Sequence, residues 1–167
     1  RNLPSAQYFA NAMGHKFCVA APGDFVSTPK ITEYVAMGAA GGCLPLLVIK
    51  GAPERTLPYT RWLDWCKLAY IVSDAQAQTD MAAVLAKLDA VSAQEAAAKR
   101  RALLAVRDAF VWRPPAPVGP DGGPQQPPER PSAPDYLLGE LCGAARSARA
   151  NRTLSADSRP SFASCML

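Results

Sequence analysis

One short stretch holds most of the residues whose types and spacing could do chemistry. In FCVAAPGDFVSTPK, Phe17 to Lys30, an apolar run stops against Gly23 and Asp24 and restarts through Ser27, Thr28, Pro29 and Lys30, with Glu33 three residues further on. A strand, glycine loop and helix in that order would aim the helix's first N–H groups and the positive end of its macrodipole at the carboxyl end of a sheet. That arrangement favours an anion, typically a phosphate. Gly23 permits close backbone approach, Ser27 and Thr28 supply hydroxyl donors, and Lys30 adds a full positive charge in the first turn. Glu33 lies too far from Thr28 for a capping box, so its carboxylate is free to accept from a ligand, as acidic residues do from ribose hydroxyls. Plainer readings stand beside these: Lys30 and Glu33 as a surface ion pair, and Asp24 as a turn-former rather than a donor-sugar contact. No G-x-G-x-x-G or Walker pattern is present.

The elements that must position these residues follow from apolar patterning. Phe17 to Ala21 is uniformly apolar, the pattern of a strand covered on both faces, which argues for a parallel sheet. Thr28 can cap a helix with Pro29 at its first position, running through Ile31, Tyr34 and Val35 toward Gly38. Leu44 to Ile49 reads as a second buried strand, completing a βαβ unit that is right-handed almost by rule. Leu68 to Val72 predicts a third strand. Thr79 or Asp80 then opens a helix with Met81, Val84, Leu85, Leu88 and Val91 on one face. Ser92 and Glu95 form a capping box for a helix to about Trp112, with Leu103, Val106 and Phe110 inward and Lys99, Arg100 and Arg101 solvated.

Bulk properties exclude several classes. A chain of 167 residues can bury one core of ordinary size. Its net charge of +4 is spread out, without the clustered basic and aromatic face of a nucleic-acid binder. Five scattered cysteines and the single His15 leave little from which to build a metal site. No Asp-x-Asp occurs, so a metal-bound diphosphate has no ligand set of that kind. No apolar run approaches the ~20 residues that span a bilayer. His15 lacks a nucleophile or orienting carboxylate that can be placed beside it, and no catalytic residue is assigned. Trp62, Trp65 and Trp112 read as core or lobe-interface residues rather than sugar-stacking platforms. Asn151-Arg152-Thr153 fits the glycosylation sequon. The chain begins at Arg1 without a charged-then-apolar leader, which reads as a processed chain or a fragment.

Taken together in order, the blocks Phe17-Cys18-Val19-Ala20, Pro22-Gly23-Asp24, Ser27 to Lys30 with Glu33, and Gly42 to Val48 resemble the exostosin-like glycosyltransferases. Leu57-Pro58-Tyr59, Leu63-Asp64-Trp65 and the run Lys67 to Val72 extend the resemblance, and Phe110-x-Trp112 and Asp135 to Leu138 fit more weakly. The resemblance implies a Rossmann-like parallel sheet flanked by helices, the carboxyl-terminal lobe of a two-lobed GT-B fold, and a UDP-sugar as donor substrate with no separate cofactor. It implies transfer to a glycan hydroxyl, with acceptor binding and the general base supplied largely by an amino-terminal lobe missing from this chain. The family's basic residue, usually arginine, falls on Lys30 for the diphosphate, and its acidic residue on Glu33 for the ribose. Lysine loses the planar bidentate fork but keeps the charge. Between Glu33 and Cys43 this chain has about four more residues than the family pattern, roughly one helical turn. The resemblance also implies a Cys18–Cys43 disulfide, against two buried free thiols. Cys66, Cys142 and Cys165 read as unpaired.

The expected organisation is a nucleotide-sugar-binding α/β lobe over 1–113, a Pro/Gly-rich linker over 114–134, a docking helix over 135–149 and a flexible tail over 150–167. The expected location, by resemblance, is the Golgi lumen or another secretory compartment, with a membrane anchor upstream of the chain. A non-catalytic scaffold or interaction protein retaining the fold is the alternative, motivated by the lysine, the lengthened helix segment and the proline-rich extension.

Overall fold

In the computed structural model, which describes residues 5–23, 28–112, 132–149, 162 and 165–167, apolar segments pair as a three-stranded parallel sheet in the order β1-β2-β3. Strand β1 is Phe17–Ala20, β2 is Leu44–Ile49 and β3 is Tyr70–Ser73. All six residues of β2 are buried, as a central parallel strand requires. Pro45 is tolerated there for a local reason. Along a strand the N–H groups alternate sides, and that of Leu44 donates to Lys16 O at 2.9 Å on the β1 side. The N–H that Pro45 lacks would face β3, whose pairing starts only at Leu46 opposite Tyr70. Strand β1 is less enclosed than its sequence predicts. As an edge strand it buries Cys18 and Ala20 but leaves Val19 exposed.

Helix α1 is Ser5–Met13, and α2, Lys30–Ala39, joins β1 to β2. The predicted strand, helix, strand unit is therefore present. The Lys30 N–H donates to Thr28 Oγ1 at 3.3 Å and Pro29 already has helical angles, so Thr28 acts as the cap that the sequence predicts. Ile31, Tyr34, Val35, Met37 and Gly38 are the buried side of α2. The helix ends in a Schellman motif: Gly42 N–H donates to Met37 O at 2.9 Å and Gly41 N–H to Gly38 O at 3.1 Å, with Gly41 at φ +88°. The small residues before Cys43 are thus helix end and turn. Gly38 has a packing reason too, since a Cβ there would meet Leu103 Cδ1 at 2.5 Å.

Helices α3, Pro53–Thr56, and α4, Trp65–Leu68, separate β2 from β3. The third strand starts two residues later than predicted because Asp64, accepting from Cys66 N–H, caps one helical turn over that stretch. Then follow α5, Asp74–Thr79, α6, Met81–Asp89, and α7, Ala93–Val106, which runs into a 3-10 turn at Arg107–Phe110. Ser92 caps α7 through Glu95 N–H, as predicted, but the Glu95 carboxylate accepts from Tyr70 OH at 2.7 Å. In α6, Val84 and Leu88 are buried while Leu85 is exposed, a narrower face than the spacing suggests. Lys99 is half-buried rather than fully solvated. Its Nζ lies 4.4 Å over the Tyr70 ring and donates to Cys66 O at 2.7 Å and Ala69 O at 3.0 Å. Burial pushes its pKa down despite the nearby Glu95 and Asp64 carboxylates. Arg100 donates to Gly42 O at 3.2 Å, so α7 ties together the ends of α4 and α2.

Helix α8, Ala133–Arg149, begins before the predicted docking helix and brings Tyr136 against Tyr59. Residues 113–131, most of the predicted linker, and Asn151 lie outside the described residues. Two disulfides are present, Cys18–Cys43 and Cys66–Cys165, and Cys142 is free and exposed. The second corrects the expectation of unpaired Cys66 and Cys165, whose separation of 99 residues gives no local signal. It also anchors the chain end. Leu167 N–H donates to Ile71 O at 2.8 Å and Met166 bridges Ile71 in parallel, so the described end of the tail lies along β3 rather than loose.

Replacing both Cys66 and Cys165 by alanine should lower unfolding stability by about 2–4 kcal/mol, read by denaturant titration of the oxidised protein, because the bridge closes a long loop. Lys99→Ala should cost about 1–3 kcal/mol in the same assay, since it strips a donor from two carbonyls at once.

Candidate functional site

The first turn of α2 follows β1, and the segment containing α3 follows β2, so both stand at the carboxyl end of the sheet. Between them lies a cavity of about 400 Å³, lined by Thr28, Pro29, Ile31 and Thr32 on one side and by Arg55, Thr56, Leu57 and Pro58 on the other. The cavity lies outside the carboxyl ends of the strands, where α/β sheets bind ligands, and its size is in the usual range, while the order β1-β2-β3 has no reversal among the described strands. Arg55 is the cationic side chain among these residues, and Thr28 and Thr32 bring hydroxyls. Sequence reasoning missed Arg55. The available signal was its place between Pro53, which opens a helical turn, and the Leu57-Pro58-Tyr59 block.

Helical geometry divides the predicted residues between two sides of α2. Lys30 and Glu33 do not line the cavity; they meet each other and α1. Lys30 Nζ is 3.0 Å from Glu33 Oε2, which also accepts from Tyr8 OH at 2.9 Å, and the ammonium sits 4.4 Å from the Tyr8 ring centroid. The bond to Glu33, then that to Tyr8, raises the Lys30 pKa above its ordinary value. Burial, then a bond with Tyr8, pushes the Tyr34 phenol up to about 12. Tyr8 was absent from the sequence reading because α1 precedes the first strand and carries no motif.

The amides of the first turn are also engaged. Lys30 N–H bonds the Thr28 hydroxyl, Ile31 N–H bonds Thr28 O at 3.2 Å and Thr32 N–H bonds Pro29 O at 3.1 Å. This corrects the expectation of free N–H groups facing an anion; what remains there is the macrodipole, Arg55 and the hydroxyls. Gly23 is exposed, with open space where a Cβ would stand. Asp24 and Ser27 lie outside the described residues. His15 is exposed. Trp65 is fully buried, as core, with its indole N–H on Pro58 O at 2.8 Å, whereas Trp62 and Trp112 are 55% and 69% exposed.

Among the described residues no cluster of His, Cys, Asp or Glu could hold a metal ion, and no helix is long and apolar enough to cross a membrane. The two disulfides accord with an oxidising secretory or extracellular environment. No protein-family model matches the chain, and no curated protein or solved structure is significantly similar to it.

Lys30, Glu33 and Tyr8 form a partly exposed cluster, so Tyr8→Phe, which deletes one hydroxyl and keeps the ring under Lys30, should change stability by less than about 1 kcal/mol by denaturant unfolding. A loss of several times that would mean that this bond holds α1 to the fold.

Proposed function

We propose that the chain is the donor-binding lobe of an exostosin-like glycosyltransferase, holding a UDP-sugar for transfer to a glycan hydroxyl. The observation that carries the reading is the Arg55-lined cavity beside the first turn of α2, at the carboxyl end of a parallel sheet. Arg55 offers the planar two-pronged donor that the family pattern places on α2 and that Lys30 cannot supply. In this reading Arg55, the Thr28 hydroxyl and the α2 macrodipole stabilise the diphosphate as it leaves. Their value lies in being fixed before charge develops. Lys30 and Glu33, on the α1-facing side of α2, would engage diphosphate and ribose only by leaving each other and Tyr8 and turning toward the cavity. Tyr8 OH, which now occupies Glu33, competes with the ribose. Acceptor binding and the general base belong, by the resemblance, to an amino-terminal lobe, and the setting would be the Golgi lumen with a membrane anchor upstream.

A non-catalytic scaffold of the same fold is the second reading. The mutual pairing of Lys30, Glu33 and Tyr8 favours it, because charges that satisfy one another need no ligand.

Calorimetric titration with UDP separates the two. On the donor-lobe reading binding is saturable, Arg55→Ala and Glu33→Ala each weaken it at least about tenfold, and Tyr8→Phe tightens it. No sugar is transferred by the chain unaided. Absence of saturable UDP binding, or affinity indifferent to Arg55 and Glu33, supports the scaffold and removes the first reading.

A further inference from the structure

A second cavity, of about 310 Å³, lies against the amino-terminal part of α8 and is lined, among the described residues, by Trp62, Asp135, Tyr136 and Gly139. Its volume is near the lower end of the ~300–1,000 Å³ usual for small-molecule sites. Trp62 is 55% exposed, an unusual state for so large an apolar ring, and part of that exposed surface lines this open concavity. The backbone that carries the indole is fixed by a tight turn. Tyr59 adopts φ +57°, a region side chains rarely enter, and its carbonyl accepts from both Trp62 N–H and Leu63 N–H at 2.8 Å. The Tyr59 ring in turn packs on Phe110 and Tyr136 at centroid distances of 5.6 and 5.7 Å. At Gly139 a Cβ would stand 3.9 Å from Trp62 Cζ2, an ordinary contact, so α8 passes close to the indole here and a longer side chain at this position would fill the cavity.

The chemistry of this lining narrows the ligand. Asp135 is the one charged side chain among the described lining residues. Its Oδ2 accepts from Ser132 N–H at 2.8 Å and Ser132 Oγ at 3.0 Å, which holds its pKa below the usual carboxylate value, so it is ionised and can only accept. An anion is disfavoured beside it. A wholly apolar molecule would cover the carboxylate without giving it a donor, at a desolvation cost. A cation is favoured less than the bare charge suggests, because the Ser132 bonds and the amino-terminal end of α8 already offset that charge. Arg61 reaches α8 one turn further along, over Gly143, and does not line the cavity. What fits is a neutral molecule with one apolar face and hydroxyl donors around its rim.

We infer that this cavity binds a neutral saccharide, with one ring stacked on the Trp62 indole and a hydroxyl donated to the Asp135 carboxylate. The site is built from residues unconnected with the α2 cavity and does not depend on nucleotide binding there. Either site stands if the other fails.

The test uses the full oxidised chain with ¹⁵N-labelled tryptophan, following the three indole N–H signals by NMR, the Trp62 signal being assigned with Trp62→Phe. Cellobiose and lactose are the neutral probes, a sulfated heparin disaccharide the acidic one and tetramethylammonium the cationic one. At least one neutral disaccharide should shift the Trp62 signal saturably, with a dissociation constant on the order of 1 mM for so open a site, and leave that of buried Trp65 unmoved. Asp135→Ala should weaken binding about tenfold. Gly139→Leu, which fills the cavity and raises helix propensity in α8, should abolish the shift with the Trp62 signal still present. The inference is overturned if neither neutral disaccharide moves that signal, if the acidic or cationic probe moves it at lower concentration, or if Gly139→Leu leaves the response intact.

Discussion

Strand β2 is apolar on both faces, and withdrawing Leu44, Leu46, Leu47, Val48 and Ile49 from water is the constraint that gathers the rest of the chain. Each such side chain contributes roughly 1.5–3 kcal/mol when fully buried, and none can be covered by the strand itself. Cover comes from β1 and β3 at its edges and from helices on its faces, with Val35 of α2 and Leu103 of α7 among the fully buried residues. A glycine at position 38 lets α7 approach α2 closely enough to do this, the Leu103 side chain occupying the space a Cβ would need.

Among the described residues the sheet has three strands, and the chain covers the β3 edge through a disulfide. Cys18–Cys43 ties the edge strand β1 to the residue before β2, while Cys66–Cys165 brings Met166 and Leu167 onto the β3 edge, where Leu167 N–H finds Ile71 O. An added partner on that edge removes unpaired backbone groups that would otherwise invite another chain. Inside, the polar ties run from α7: Lys99 closes the carbonyls of the α4 turn and Arg100 reaches the end of α2. These bonds explain why two basic residues on a helix with few large apolar residues are not simply solvated.

The carboxyl end of the sheet combines a cavity with charge, but the charges are distributed unevenly. Arg55 faces the cavity, while Lys30 and Glu33 face α1 and each other. Exchange is nevertheless inexpensive, since a partly exposed ion pair contributes little and its partners can be traded for those of a ligand. The engaged amides of the first turn are a firmer constraint, because they are fixed by the same Thr28 and Pro29 geometry that starts the helix.

Local chemistry made much of this legible in the sequence. The β1-α2-β2 unit followed from apolar runs around a Thr-Pro helix start, and the α7 cap followed from Ser92, because each depends on neighbours in the chain. The short α5 and the α4 turn were not legible, being too brief to display a period, and Lys99 looked solvated because its carbonyl partners lie some thirty residues away. Sequence alone, through the spacing of apolar and capping residues, determined the three strands, the α2, α6 and α7 helices and most of α8, and where a phosphate-type site would be sought. Tertiary structure alone decided that Cys66 meets Cys165, that Tyr8 caps Glu33, that Arg55 lines the cavity and that Trp62 stands open beside Asp135. Those outcomes depend on how separate elements pack, and packing brings together residues whose separation along the chain carries no local signal.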